Sequence, residues 1–151
     1  MYRVVSLFSG CGGCDQGIVG GFTFNNREYD RLPFELVYAS DIDQKALNTH
    51  KLNFECPNIV CGDICEIPSD QIPDHDILIG GFNSRDPVLL VDPEKELYRR
   101  FTPREAARIQ SFPDSFQFAG SETDAYRQIG NAVPPVLFWH ISKKLAEILS
   151  E

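Results

Sequence analysis

Apolar and polar positions fall into short blocks along this chain, and the blocks predict alternating strands and helices. Val4 to Phe8 is an apolar run closed by Ser9-Gly10, which reads as a buried parallel strand. Glycines at 10, 12 and 13 break it, and Asp15 to Val19 can begin a helix that Gly20-Gly21 ends. Phe22 to Pro33 reads as a polar connection, and Phe34 to Ala39 as a second strand. Asp43 can cap the next helix, whose Ala46, Leu47 and Leu52 keep roughly helical spacing. Asn58 to Val60 and Asp76 to Ile79 are further strands, closed by Cys61-Gly62-Asp63 and Gly80-Gly81. Strands alternating with helices or loops predict a parallel α/β sheet. Each ends in Gly, Asp or Ser at its carboxyl end, where open α/β sheets place their ligands.

After Phe82 the pattern changes. Asn83 to Pro87 is polar and turn-like, and Val88 to Val91 reads as one more strand. Thr102-Pro103-Arg104-Glu105 starts a helix with a capping box and a proline in the first turn, and Pro113 stops it. The last helix is predicted from Pro135 to Leu149, with Leu137, Ile141, Leu145 and Ile148 on its apolar face and Lys143, Lys144 and Glu147 away from it.

Composition narrows the classes. A length of 151 residues fits one domain, and 42% hydrophobic residues suits a folded chain rather than a disordered one. With 22 acidic and 14 basic side chains the formal charge is -8, which argues against a broadly cationic nucleic-acid binder. Residues 1–92 carry 14 acidic and 6 basic groups and residues 93–151 carry 8 of each, so the net charge sits in the first part. Arg99, Arg100, Arg104 and Arg108 form a basic cluster, readable as a solvated helix face or as a phosphate contact. No run approaches a membrane span, and the start does not read as a signal peptide. Five cysteines read as reduced thiols of a cytoplasmic protein, or a nuclear one in a eukaryote.

Three segments could carry chemistry. Phe8-Ser9-Gly10-Cys11-Gly12-Gly13 is either a tight strand-to-helix turn or a cradle whose amides face a phosphate or carboxylate. Its spacing departs from the dinucleotide fingerprint. Asp41, at the end of the second strand, can accept hydrogen bonds from ribose hydroxyls while Asp43 serves as the cap. Asp63 in Gly62-Asp63-Ile64 can accept from an adenine amino group with Ile64 against the ring, or simply close a turn. Cys11 and Cys14 form a Cys-x-x-Cys, but four converging ligands are not evident and nearby acids would not lower a thiol pKa. Neither a metal site nor a redox pair is expected. His50, His75 and His140 are scattered and read as helix or loop residues.

Taken together, these segments resemble the DNA cytosine-C5 methyltransferases, which use S-adenosylmethionine. The resemblance runs through Leu7 to Gly13, Ser40 to Asp43, Gly62 to Ile64 and Gly80-Gly81-Phe82. Tyr98 to Gln110, extended by Phe112-Pro113-Asp114, is similar to the family's ninth block, and Tyr126 to Pro135 to its tenth. It implies a Rossmann-like methyltransferase fold with an incomplete parallel sheet and a helical C-terminal part. Residues 1–151 would be a single truncated core, with 1–82 the cofactor half, 83–97 a junction and 98–151 packing back on it.

The resemblance also implies a cofactor site for S-adenosylmethionine or S-adenosylhomocysteine. Phe8 would pack on adenine, and Ser9, Gly10, Cys11, Gly12 and Gly13 would hold the methionine portion. Asp41 would bind ribose, Ile42 would lie against adenine, and Asp63 with Ile64 would recognise its amino edge. Gly81 belongs to the same site, and Asn131, Ala132 and Val133 would close the pocket from the far end of the sequence.

The departures are equally specific. The family follows Gly-Gly-Phe with Pro-Cys, whose cysteine is the nucleophile; here Asn83-Ser84-Arg85-Asp86 follows Phe82. The Glu-Asn-Val and Gln-x-Arg-x-Arg blocks and a target-recognition region are missing too. No catalytic residue is assigned. The expectation is a cofactor-binding core inactive alone, not expected to bind double-stranded DNA by itself. A regulatory or partner-binding module is the alternative, as is a deletion product of a larger active enzyme. An unclosed sheet edge would invite self-association or a complementing fragment.

Overall fold

The structure is a computed structural model, and it describes residues 1–80, 89–92, 97–99 and 101–150. In chain order the elements are β1 (Tyr2–Leu7), α1 (Gly13–Val19), β2 (Phe22–Phe24), β3 (Arg27–Tyr29), β4 (Phe34–Asp41), α2 (Gln44–Asn53), β5 (Ile59–Cys61) and β6 (Ile77–Gly80). After them come β7 (Leu89–Asp92), β8 (Leu97–Arg99), α3 (Pro103–Ile109), α4 (Glu122–Gly130) and α5 (Pro135–Leu149). β5, β4, β1 and β6 form one parallel sheet in that order. All four carboxyl ends therefore open on the same edge, where the candidate segments lie.

Two apolar layers sandwich the sheet. On one face Val4, Phe34 and Leu36 pack with Ile18 of α1 and Trp139 of α5. On the other, Val5, Val37 and Tyr38 pack with Leu7, Val60 and Ile72. Burying each large side chain contributes roughly 1.5–3 kcal/mol before entropy is counted. A third cluster lies outside the sheet, where Cys11 meets Ala107, Phe112, Phe116 and Ile129. Rings of Phe112, Phe116 and Phe118 pack at centroid distances of 4.7–5.3 Å, which fixes the C-terminal segment as a solid wall. That wall is stitched to α2, since Ala119 N–H donates to Thr49 Oγ1 (2.7 Å) and Asn53 Nδ2 donates to Gln117 O (2.8 Å).

Three elements differ from the pattern-based expectation. The polar connection at 22–33 contains the β2–β3 hairpin, turned by Asn25 and Asn26 at positive φ, with Phe22 and Tyr29 stacked at 4.9 Å. α4 was not anticipated; Ser121 and Asp124 form its capping box, a signal hidden because its apolar face is short. α5 exists as predicted but turns another face inward. Trp139 and Ser142 are buried, Leu145 is half-buried, and Leu137, Ile141 and Ile148 are each more than half exposed. The cause is α1: a Cβ at Gly17 would lie 2.6 Å from Pro135 O, so the helices pack backbone to backbone along this side. Trp139 then anchors the contact by donating its indole N–H to Asp30 O (2.9 Å).

The strand read at Val88–Val91 is β7, paired antiparallel with β8 rather than with β6. Among the described residues β6 has a strand partner on its β1 side alone. No described helix is long and apolar enough to cross a membrane.

Candidate functional site

The glycine loop leaves β1 and is tied down on both sides before α1 begins. Ser9 donates its N–H (3.0 Å) and its hydroxyl (3.2 Å) to Ser40 O at the end of β4. Gly10 N–H donates to Asp41 Oδ2 (2.9 Å), and Asp43 N–H donates to Asp41 Oδ1 (2.8 Å). Asp41 thus links the loop to the start of α2 with one carboxylate. Asp43 is the helix cap, accepting from the Lys45 and Ala46 amides, as its position predicts.

The opposite wall comes from the end of α4. A Cβ at Gly13 would sit 2.5 Å from Val133 O and 2.9 Å from Ala132 Cβ, so this contact has room for glycine alone. The Cys11 thiol donates to Gln128 O (3.5 Å). Gln110 Nε2 holds the turn after α4 by donating to Ile129 O and Ala132 O, each at 3.2 Å. Ion pairs reinforce the join across the mouth: Arg127 to Asp43 (3.0 Å) and Lys45 to Asp124 (2.9 Å). The Ser121 hydroxyl, with Lys45 beside it, holds the Asp124 carboxyl well below the usual carboxylate range.

Between loop and wall lies a cavity of about 400 Å³. Of the expected residues, Phe8, Ser9, Gly10, Cys11, Gly13, Asp41, Ile42, Asn131, Ala132 and Val133 line it. Phe8 (54% exposed) and Ile42 (72%) offer apolar surface at its mouth, a pairing suited to a flat ring. Gly12 lies behind the loop against Phe54. Asp63 and Ile64 are outside the lining, on the turn after β5, where Asp63 Oδ1 accepts from Cys65 N–H (2.9 Å). Gly81 lies outside the described residues; its neighbour Gly80 lines the cavity.

Sequence reading missed Cys14, Asp43, Arg127 and Gln128 as lining residues. Arg127 and Gln128 stand inside the Tyr126–Pro135 segment, so that segment was the available signal. It also missed a polar pair behind the loop, where His50 Nε2 lies 2.9 Å from Asp15 Oδ2 with both side chains fully buried. Burial, aided by the Asp15 charge, pushes the Cys11 and Cys14 thiols up to about 12. Among the described residues, no group of three or more His, Cys, Asp or Glu side chains could hold a metal ion.

A family model described as C-5 cytosine-specific DNA methylase matches residues 2–83 and 83–147. Type II methyltransferase M.NgoFVII of Neisseria gonorrhoeae is 55% identical over 53 residues, covering 35% of this chain and 14% of that protein. Type II methyltransferase M.AplI of Arthrospira platensis is 38% identical over 94 residues, 62% of this chain and 22% of that protein. DNA (cytosine-5)-methyltransferase 2 of Arabidopsis thaliana is 42% identical over 73 residues, 42% of this chain and 5% of that protein. The matches thus span less than a quarter of each relative. A solved structure from E. coli, described as a putative DNA modification methyltransferase encoded within a prophage, superposes with a TM-score of 0.74 over 100% of both chains at 16% identity, a likeness of fold.

Proposed function

Because the chain belongs to the C-5 cytosine-specific DNA methylase family, we propose that its cavity binds S-adenosylmethionine or S-adenosylhomocysteine. On this reading it is the cofactor core of a DNA cytosine-C5 methyltransferase that does not transfer methyl groups alone. The observation that carries the reading is convergence: the glycine loop, Asp41 and residues 131–133 surround one cavity although the sequence separates them widely. Each Asp41 oxygen already accepts one amide and keeps a free lone pair for a ribose hydroxyl. Phe8 and Ile42 would flank adenine, and the Ser9–Gly13 loop with Asn131, Ala132 and Val133 would enclose the methionine portion. Asp63 and Ile64 would meet the adenine edge from the β5 turn, and Gly81 would continue the wall that Gly80 begins.

Bound there, the cofactor supplies an electrophilic methyl group. The chain's own residues hold it but offer no means to activate cytosine, whose C5 becomes nucleophilic only after a thiolate adds to C6. Asn83 stands where the family has the proline of Pro-Cys, and no cysteine follows before Phe101. Cys11 and Cys14 are held protonated beside the cavity, and burial also raises the Cys56 thiol. DNA contact by the chain alone is not favoured. Arg104 spends its guanidinium on Pro113 O and Phe116 O, and Arg108 pairs with Asp114.

The two family-matched segments meet at residue 83, which supports an internal deletion with 1–82 as cofactor half, 83–97 as junction and 98–151 as returning wall. A second reading, a partner-binding module of the cytoplasm or nucleus, is favoured by β6, whose outer edge has no described strand beside it. There a second copy or a complementing fragment could add.

Calorimetry with S-adenosylhomocysteine tests the core reading. Binding that is lost in Asp41→Ala supports it, and no binding by a folded chain removes it. Tritiated methyl transfer to DNA above background would sink the claim of inactivity.

A further inference from the structure

Asp15 and His50 play no part in the cavity lining, yet they lie directly beneath the loop that forms it. Asp15 stands in the first turn of α1, immediately after the loop, and His50 stands on α2. Their contact joins the two helices that flank the loop. Gly12, at φ +94°, rests on the same His50: a Cβ there would lie 3.1 Å from His50 Cδ2 and 2.2 Å from Phe54 Cε2. The His50 and Phe54 rings are 4.6 Å apart and together make the loop's floor. The loop is therefore gripped twice, by Asp41 at Gly10 and by the Phe54 and His50 rings at Gly12.

The composition of this grip is informative. A buried polar pair is seldom the most stable filling for a core, because its desolvation consumes much of its attraction. This pair is also incompletely satisfied, since among the described residues Asp15 Oδ1 and His50 Nδ1 have no hydrogen-bond partner. What the pair does provide is direction. The bond holds the Nε2 end of the imidazole, and the ring it steadies shares with Phe54 the surface on which Gly12 sits. Apolar side chains of equal volume would fill the space without that directed hold.

We propose that the Asp15–His50 pair is a positioning device for the cofactor loop, setting its affinity for the methionine end of the cofactor without touching it. The proposal rests on the cavity being the cofactor site, as proposed above.

The test uses the full chain, S-adenosylhomocysteine as ligand, and two variants of one residue. His50→Leu removes the bond, whereas His50→Gln places an amide nitrogen near the position of Nε2. Calorimetry should show affinity weakened on the order of tenfold in His50→Leu and restored to within about threefold of wild type in His50→Gln. Amide hydrogen exchange should quicken at Gly10, Gly12 and Gly13 in His50→Leu while Val4, Val5 and Leu36 stay protected. Unchanged affinity and loop exchange in a folded His50→Leu overturn the proposal. So does a glutamine variant that rescues nothing, with sheet and loop exposed alike, for then the pair is only a general core contact. If His50→Leu does not fold, Asp15→Ala replaces it, removing the group that holds the imidazole, and unchanged affinity there is equally fatal. A wild-type chain that fails to bind the ligand removes the cofactor reading, while loop exchange still decides whether the pair holds the loop.

Discussion

At the scale of single residues, Asp41 shows how one side chain can be structural and ready for a ligand at once. Its two oxygens take the Gly10 and Asp43 amides, so Asp41→Asn would face one of those donors with an NH₂ group instead of an acceptor. We expect S-adenosylhomocysteine affinity to fall by roughly tenfold or more, an effect of about 1.4 kcal/mol or above, measured by calorimetry. The thiols give a second expectation. Cys61 and Cys65 are exposed, whereas Cys11 and Cys14 are shifted up to about 12, chiefly by burial. Iodoacetamide at pH 8 should therefore label Cys61 and Cys65 and spare the other two, as read by mass spectrometry. Because folding raises these two thiol pKa values, the native state holds its protons longer than the unfolded chain. Their contribution is complete below the ordinary value of 9.0 and is lost as pH rises from there toward about 12, so urea stability should decline across that window. The Asp43 cap was legible in sequence because its partners, the Lys45 and Ala46 amides, lie within three positions, and the loop was legible from its own glycines although its partners Ser40 and Asp41 are 31 residues away. Asp15 and His50 were not, since 35 residues separate them and nothing in either neighbourhood announces the other.

Among the elements, close helix packing decides more than hydrophobic count. The spacing of Leu137, Ile141, Leu145 and Ile148 is a sound helical signal, but α5 docks through small groups at Gly17 and Ser142 with Trp139 as anchor. Periodicity identifies a helix and its candidate stripes; which stripe turns inward depends on the neighbouring helix, and that neighbour is 118 residues away at Gly17–Pro135. Gly17→Ala would drive a Cβ into the Pro135 carbonyl and should cost about 1–3 kcal/mol in urea unfolding. α4 offers a test in acid. Ser121 caps the helix and, together with Lys45, keeps Asp124 ionised far into the acid range. A depressed carboxyl lends stability above its unfolded pKa and loses it as pH falls through the folded one. Ser121→Ala should then cost about 1 kcal/mol near neutrality and move the acid-unfolding midpoint to higher pH, followed by circular dichroism.

For the whole molecule, the position of the candidate segments at the carboxyl edge was readable, because each strand carries its terminating Gly, Asp or Ser with it, whereas the sheet order β5-β4-β1-β6 is set by pairings between strands far apart in sequence. The hairpin at 22–29 was not readable, since its two strands have only three residues each and polar neighbours. If the cavity is the cofactor site, S-adenosylhomocysteine at about a hundredfold excess over its dissociation constant should stabilise the fold by roughly 2.7 kcal/mol, visible as a raised melting temperature. The cavity draws on residues near both ends of the chain, from Ser6 to Val133, with the four-stranded sheet complete by Gly80. A ribosome that has released the first 80 residues has therefore delivered every strand of the sheet and none of the opposite wall. At a synthesis rate of roughly 5–20 residues per second, several seconds pass before α4 can close on the loop. A nascent chain stalled before α4 would hold the loop without its lid of Gln128 to Val133, and ligand-dependent protection from protease should begin only when that last stretch has emerged.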